Sequence, residues 1–131
     1  MSEAEQILQE CARDARCLYL PKSSTCEIDV SLSGSWVTLE CDMADTSSPD
    51  TATRLDAVVR CWTNWANAVE AKNNPNHSGN VAQVSEPVRG TDFVQWHLQP
   101  YLTEPQRLNV LVNAIVRLCH HGIDIRNVYI G

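Results

Sequence analysis

The chain has 131 residues, of which 44% are hydrophobic and 20% are charged, and it carries a formal net charge of −6. This composition is typical of one folded domain over residues 1–131 and excludes a disordered chain. The acidic balance argues against direct nucleic-acid binding, and no apolar run reaches the length of a membrane span.

The start of the chain and its cysteines predict the compartment. The acidic opening, MSEAEQ, lacks the basic segment of a secretory signal, so we expect a cytoplasmic protein, acting in its own cell or in a host cell. A reducing compartment keeps thiols free, and no two of the six cysteines have the spacing of a zinc-binding pair. We therefore expect free cysteines, no metal and no cofactor.

The first predicted element is a helix. Ser2 and Glu5 have the S-x-x-E spacing of a capping box, in which each residue satisfies a free backbone N–H group at the helix start. Apolar residues then recur at helical spacing, so we expect a helix from residue 3 to about residue 17.

The next segment predicts a β-hairpin. Apolar and polar residues alternate in TCEIDVSLSGSWVTLECDM (25–43), on both sides of a Ser33-Gly34 turn. A two-residue turn at that point would place Glu27 directly opposite Glu40, and Cys26 opposite Cys41. The acidic side chains and Trp36 would then share one face of the hairpin, and the apolar side chains would share the other.

Two long helices and a second hairpin follow. Ser48-Pro49-Asp50 is typical of a helix start, and an apolar stripe predicts a helix over about 49–72. Residues 80–98 predict a hairpin with Arg89-Gly90 as its turn and FVQWHL as its second strand. A capping box at 103–106 and another apolar stripe predict the third helix.

The C-terminal segment, LVNAIVRLCHHGIDIRNVYIG, contains three adjacent potential metal ligands, Cys119, His120 and His121. Neighbouring residues on a helix point about 100° apart, whereas helical metal pairs are spaced i, i+4. Gly122 follows where a helix needs a residue in the left-handed conformation. We therefore interpret the histidines as the end of a helix, and IDIRNVYI as a final strand.

The predicted order is α-ββ-α-ββ-α-β, which indicates an α+β fold. We expect an antiparallel or mixed sheet with the long helices packed on one face. The segments 26–72 and 80–121 would form two ββα units, with TRLD and QRLN at matching helix positions. Four matching residues fit a coincidence as well as a duplication.

A search for catalytic motifs finds no phosphate-binding loop, no nucleophile elbow and no zinc-protease helix. His97, beside Trp96 on a predicted strand, is the one histidine that an active site could use. A small cytosolic enzyme that combines His97 with a thiol or a carboxylate is therefore one functional hypothesis. A structural subunit of a larger assembly is another, and the sequence leaves a homodimer open.

The distribution of charge favours a third hypothesis. Residues 23–53 contain six acidic residues and no Lys or Arg, whereas the remaining ten acidic residues balance ten basic ones. Opposed carboxylates destabilise a hairpin, so they indicate a function there, although a solvated face that only aids solubility would carry the same charge. We expect a non-catalytic module that inhibits or chaperones a basic protein partner, which could itself bind nucleic acid. This class of protein includes phage anti-defence inhibitors, immunity proteins and secretion chaperones. The predicted contact residues are Glu27, Asp29, Trp36, Glu40, Asp42 and Asp45.

Overall fold

A computed structural model describes residues 2–13, 27–30, 36–44, 49–73, 82–99 and 106–131. The helices are α1 (Glu3–Arg13), α2 (Pro49–Asn73) and α3 (Gln106–Arg117), and a 3₁₀ turn (Leu118–His121) extends α3. The strands are β1 (Glu27–Val30), β2 (Val37–Met43), β3 (Gln83–Val84), β4 (Val88–Arg89), β5 (Phe93–Gln99) and β6 (Ile125–Ile130). Helices and strands alternate in one α+β fold, as predicted, with two short strands where the sequence indicated one.

The strands form one mixed sheet in the order β1-β6-β2-β5-β3, and β4 also pairs with β5. β1 runs parallel to β6, and all the other pairs are antiparallel. The C-terminal strand β6 therefore lies inside the sheet, between the two strands that were expected to form the first hairpin.

The predicted pairing of β1 with β2 is wrong. Glu27 pairs with Asn127 on β6 and not with Glu40, while Cys41 pairs with Val94 and Val128. Apolar burial explains the insertion, because Ile125, Val128 and Ile130 on β6 are all at most 1% exposed and require an interior position. The predicted alternation of β2 is confirmed, since its residues are alternately buried and half-buried from Val37 to Met43.

The inner face of the sheet and the three helices share one hydrophobic core. The buried residues of β2, β5 and β6 form a single cluster with those of α1, α2 and α3. Every residue from Arg107 to Val116 is buried, so α3 is the central helix of that core. Because the helices cover this face, the side chains on the opposite face of the sheet are left half-buried or exposed.

The helix ends follow the sequence signals. The Glu5 N–H group donates to Ser2 Oγ at 3.2 Å, and Ser2 Oγ donates to Glu5 Oε1 at 3.1 Å, which confirms the first capping box. Gly122 has a φ of 95°, and its N–H group donates to the Leu118 carbonyl, as expected of the residue that ends a helix. The expected α1 residues after Arg13 lie outside the described residues.

The second hairpin turns two residues later than predicted. The Gly90 N–H group donates to the Phe93 carbonyl at 2.9 Å, so Thr91 and Asp92 form the turn between β4 and β5. The Phe93 ring lies over Gly90, where a Cβ atom would clash with it. A larger residue at this position would therefore require the Phe93 ring to move.

The two ββα segments are not equivalent in the structure. β6 separates β1 from β2, whereas β3 and β4 both pair directly with β5. The matching arginines also differ, since Arg54 is a half-buried residue that pairs with Glu3, while Arg107 is buried and pairs with Glu70. The TRLD and QRLN similarity therefore does not correspond to a repeated structure.

Polar contacts tie α2 to the rest of the fold. Trp62 Nε1 donates to the Arg107 carbonyl at 2.7 Å, and the Asn67 side-chain amide exchanges two hydrogen bonds with the backbone of Ala82. Trp96 Nε1 donates to Asp56 Oδ1 at 2.9 Å, which joins α2 to β5. No helix in the described ranges combines the length and the apolarity that a membrane crossing needs.

Candidate partner-binding face

The sheet surface opposite the helices, here called the open face, is the candidate functional site. The strand register aligns its residues in rows across the sheet. The first row runs from Tyr129 through Glu40 to Gln95, and the second row runs from Asn127 through Asp42 to Phe93. Val88 continues the first row, and Thr38 lies beside His97. The open face consists of these side chains together with Trp36, namely Trp36, Thr38, Glu40, Asp42, Val88, Phe93, Gln95, His97, Asn127 and Tyr129.

Large apolar groups are exposed on the open face. Trp36 is 51% exposed, Val88 52% and Tyr129 43%, and these are the exposed large hydrophobic residues of the described chain. Trp36 directly precedes β2, and the alternation of that strand places it on the same side as Thr38 and Glu40. Exposed aromatic residues gathered on one surface are typical of a binding site rather than of a solvated face.

Carboxylates are clustered beside these aromatic residues. Interaction with the neighbouring Asp42 side chain, partial burial and the negative charges of Asp42 and Asp92 together raise the pKa of Glu40 above its ordinary value. Asn127 Nδ2 donates to Asp42 Oδ2 at 3.4 Å. Within the described ranges, neither Glu40 nor Asp42 forms a salt bridge with Lys or Arg. The cluster therefore combines like charges without a cation to neutralise them.

A β-bulge determines which β6 residues reach this face. Asp42 pairs with Asn127, but Met43 pairs with Ile125, so Arg126 is an extra residue on β6. The bulge returns Ile125 to the core and leaves Arg126 exposed. Without this shift, strict alternation would direct Arg126 toward the core and Ile125 toward solvent.

The structure brings three of the six predicted contact residues together on the open face, namely Trp36, Glu40 and Asp42. Glu27 and Asp29 occupy register positions beside Asn127 and Tyr129 on β6, although the expected pairing of Glu27 with Glu40 is wrong. Asp45 lies outside the described residues. Sequence reasoning missed Tyr129, which the alternation of VYI around buried Val128 and Ile130 would have identified as outward-facing. It also missed Asp92, because the turn was predicted at Arg89-Gly90 and not at Thr91-Asp92.

The structure does not combine His97 with a thiol in the described chain. His97 is exposed on the open face, whereas Cys41 on neighbouring β2 is buried in the core. Burial raises the pKa values of Cys11, Cys41 and Cys61, which keeps these thiols protonated and weakly nucleophilic at neutral pH. Cys11, Cys41 and Cys61 are free cysteines, and Cys17 and Cys26 lie outside the described residues.

The adjacent histidines, His120 and His121, lie at the end of the 3₁₀ turn, and both are exposed. His121 Nδ1 lies 3.2 Å from Glu3 Oε2, and Arg54 donates both to Glu3 and to the His121 carbonyl. The contact with Arg54 lowers the pKa of Glu3. These contacts join the start of α1 to α2 and to the end of the 3₁₀ turn. Among the described residues, no group of three or more His, Cys, Asp or Glu side chains is arranged to hold a metal ion.

Comparison of the chain with protein families, with curated proteins and with solved structures finds no match. The geometry of the open face is therefore the basis for a functional proposal.

Proposed function

We propose that this protein is a non-catalytic binding module that uses its open face to inhibit or chaperone a basic protein partner. One observation carries the proposal, namely that exposed Trp36 and Tyr129 flank half-buried carboxylates that lack a cationic partner in the described chain. The aromatic side chains would supply contact area, and the carboxylates would supply charge complementarity.

The raised pKa of Glu40 supports a cationic partner. Like charges that are held close together and partly away from water are unfavourable in the free protein. A basic side chain docked against Glu40 and Asp42 would neutralise this repulsion. Relief of the repulsion would therefore contribute part of the binding free energy. A neutral or acidic partner would have no such gain.

The proposal extends to the mode of action. Acidic groups spaced along neighbouring strands could occupy the positions that phosphates take on a partner that binds nucleic acid, and so block that partner's basic surface. A cytoplasmic site of action is part of the proposal, because Cys11, Cys41 and Cys61 are free cysteines and a reducing compartment keeps thiols free.

The test is affinity capture from a lysate with two variants of equal charge. The first variant, Glu40→Gln with Asp42→Asn, removes two carboxylates from the open face. The second, Glu10→Gln with Glu86→Gln, removes two carboxylates elsewhere, each from an exposed ion pair with an N–O distance of 3.4 Å. Exposed pairs of this kind contribute little to stability, so the second variant is a matched control for net charge.

We expect wild-type protein and the control variant to capture the same basic protein, and the open-face variant to lose it. Purified partner should then lose its own nucleic-acid or substrate binding when the module is added. Trp36→Ala should speed dissociation of the complex, at a cost of about 2 kcal/mol if Trp36 is a main anchor. Equal capture by all three proteins would contradict the proposal, because binding would then not depend on this face.

A further inference from the structure

The open face also indicates which basic side chain it recognises. Tyr129 and Glu40 are direct partners in the antiparallel register of β6 and β2, so a phenol ring and a carboxylate stand side by side on an uncovered surface. Directly opposed residues on neighbouring strands have Cβ atoms about 5 Å apart. Asp42 lies on the same side of β2, two residues along the strand from Glu40. Two carboxylates and one aromatic ring are thus within reach of a single incoming side chain.

We propose that this part of the open face binds an arginine side chain of the partner, stacked on Tyr129 and paired with Glu40. This inference rests on the proposed function and specifies the chemistry of the partner. Charge complementarity to Glu40 and Asp42 requires a cation, and the exposed phenol ring, 43% accessible, provides a flat surface on which a planar cation stacks.

Arginine fits this arrangement better than lysine for two physical reasons. The guanidinium group is planar and donates several N–H groups in one plane, so it can stack on a ring while its edge pairs with a carboxylate. It is also more weakly hydrated than an ammonium group and so costs less free energy to bring against half-buried carboxylates. Lysine can satisfy the charge but presents no flat face to the ring.

The test uses two synthetic peptides of equal length and charge, in which glycine alternates with six arginines or with six lysines. Their affinities for the full chain are measured by titration calorimetry at physiological salt. We expect the arginine peptide to bind about tenfold more tightly than the lysine peptide. Tyr129→Phe retains the ring and should keep this preference, whereas Tyr129→Leu should reduce it to about twofold or less without weakening the lysine peptide.

The other outcomes are separable from those of the capture experiment. Equal affinity for the two peptides, with both weakened by Glu40→Gln, would overturn the arginine inference and leave the proposed basic partner intact. An arginine preference that persists in Tyr129→Leu would also overturn it, since the preference would then not depend on stacking. Failure of both peptides to bind would overturn the inference as well, while the capture experiment decides the proposed function independently.

Discussion

The buried ion pair between Glu70 and Arg107 provides the sharpest test of the core. Their side chains are only 1% and 4% exposed, so each charge has almost no access to water. Arg107 is also the second residue of α3, where the positive end of the helix dipole disfavours a cation. Glu70→Leu would leave the guanidinium buried without its counter-charge, and we expect a loss of about 3–5 kcal/mol in the free energy of unfolding.

Replacing Arg107 instead of Glu70 should cause a loss of stability that depends on pH. Arg107→Met would leave a buried carboxyl, which can take up a proton, whereas a guanidinium cannot lose one. Arg107→Met should therefore destabilise less at pH 5 than at pH 8, and the loss in Glu70→Leu should vary little over that range. The double variant should lie within about 1–2 kcal/mol of wild type, because apolar residues of similar volume replace the whole pair.

Urea unfolding followed by tryptophan fluorescence measures all four proteins, and Trp62, bonded to the Arg107 carbonyl, reports on this region. Additive losses in the double variant would refute the reasoning, because they would mean that each side chain contributes independently of the other. A loss below about 1 kcal/mol in Glu70→Leu would refute it as well, since it would place the pair in a hydrated environment.

The remaining predictions concern the sheet, the open face and the end of α3. Paired cysteines at Glu27 and Asn127 should form a disulfide under oxidation, because neighbouring strands lie about 4.8 Å apart. Cysteines at Glu27 and Glu40 should not, because β6 separates their strands and the register offsets them by two residues, which puts them more than about 9.6 Å apart. Peptide mapping detects either bond, and the reverse result would restore the direct hairpin. The pKa of Glu40 is raised from an ordinary value near 4.5, so its ionisation on raising the pH costs stability. Glu40→Gln should therefore stabilise the fold by up to about 1 kcal/mol at neutral pH. This gain should vanish as the pH falls through the raised pKa of Glu40 and below 4.5. Unfolding curves recorded at several pH values measure it. A gain that persists at low pH would exclude charge repulsion as its cause. Replacing His120 and His121 with Gln should cost at most about 1 kcal/mol of stability at neutral pH. Gly122→Ala should cost about 1–2 kcal/mol, because Gly122 has a φ of 95°. Thermal unfolding compares the two variants, and a larger loss in the histidine variant would contradict the interpretation of the histidines as the end of the helix.

The sequence predicted several features that depend on neighbours along the chain, although it placed the turn of the second hairpin two residues too early. The capping box at Ser2 and Glu5 is confirmed because its two hydrogen bonds form within one helical turn. The left-handed Gly122 was predictable for the same reason, since a helix that ends exposes carbonyls to the next few residues. The alternation in β2 fixed which of its residues face the core, and therefore placed Glu40 and Asp42 on the outer face before any partner strand was known.

Only the tertiary structure decided which strands are neighbours. Alternation assigns a residue to a face of a sheet but does not select the adjacent strand, and the residues between Val30 and Val37 are numerous enough to step over one strand. β6, the last strand in the chain, takes the position beside β2 because Ile125, Val128 and Ile130 are buried there by contacts with the helices. This position of β6 also brings Tyr129 beside Glu40, so the candidate binding site joins residues that are 89 positions apart in the sequence. Local sequence patterns carry no information about such long-range contacts, which here result from burial of the apolar side chains of β6.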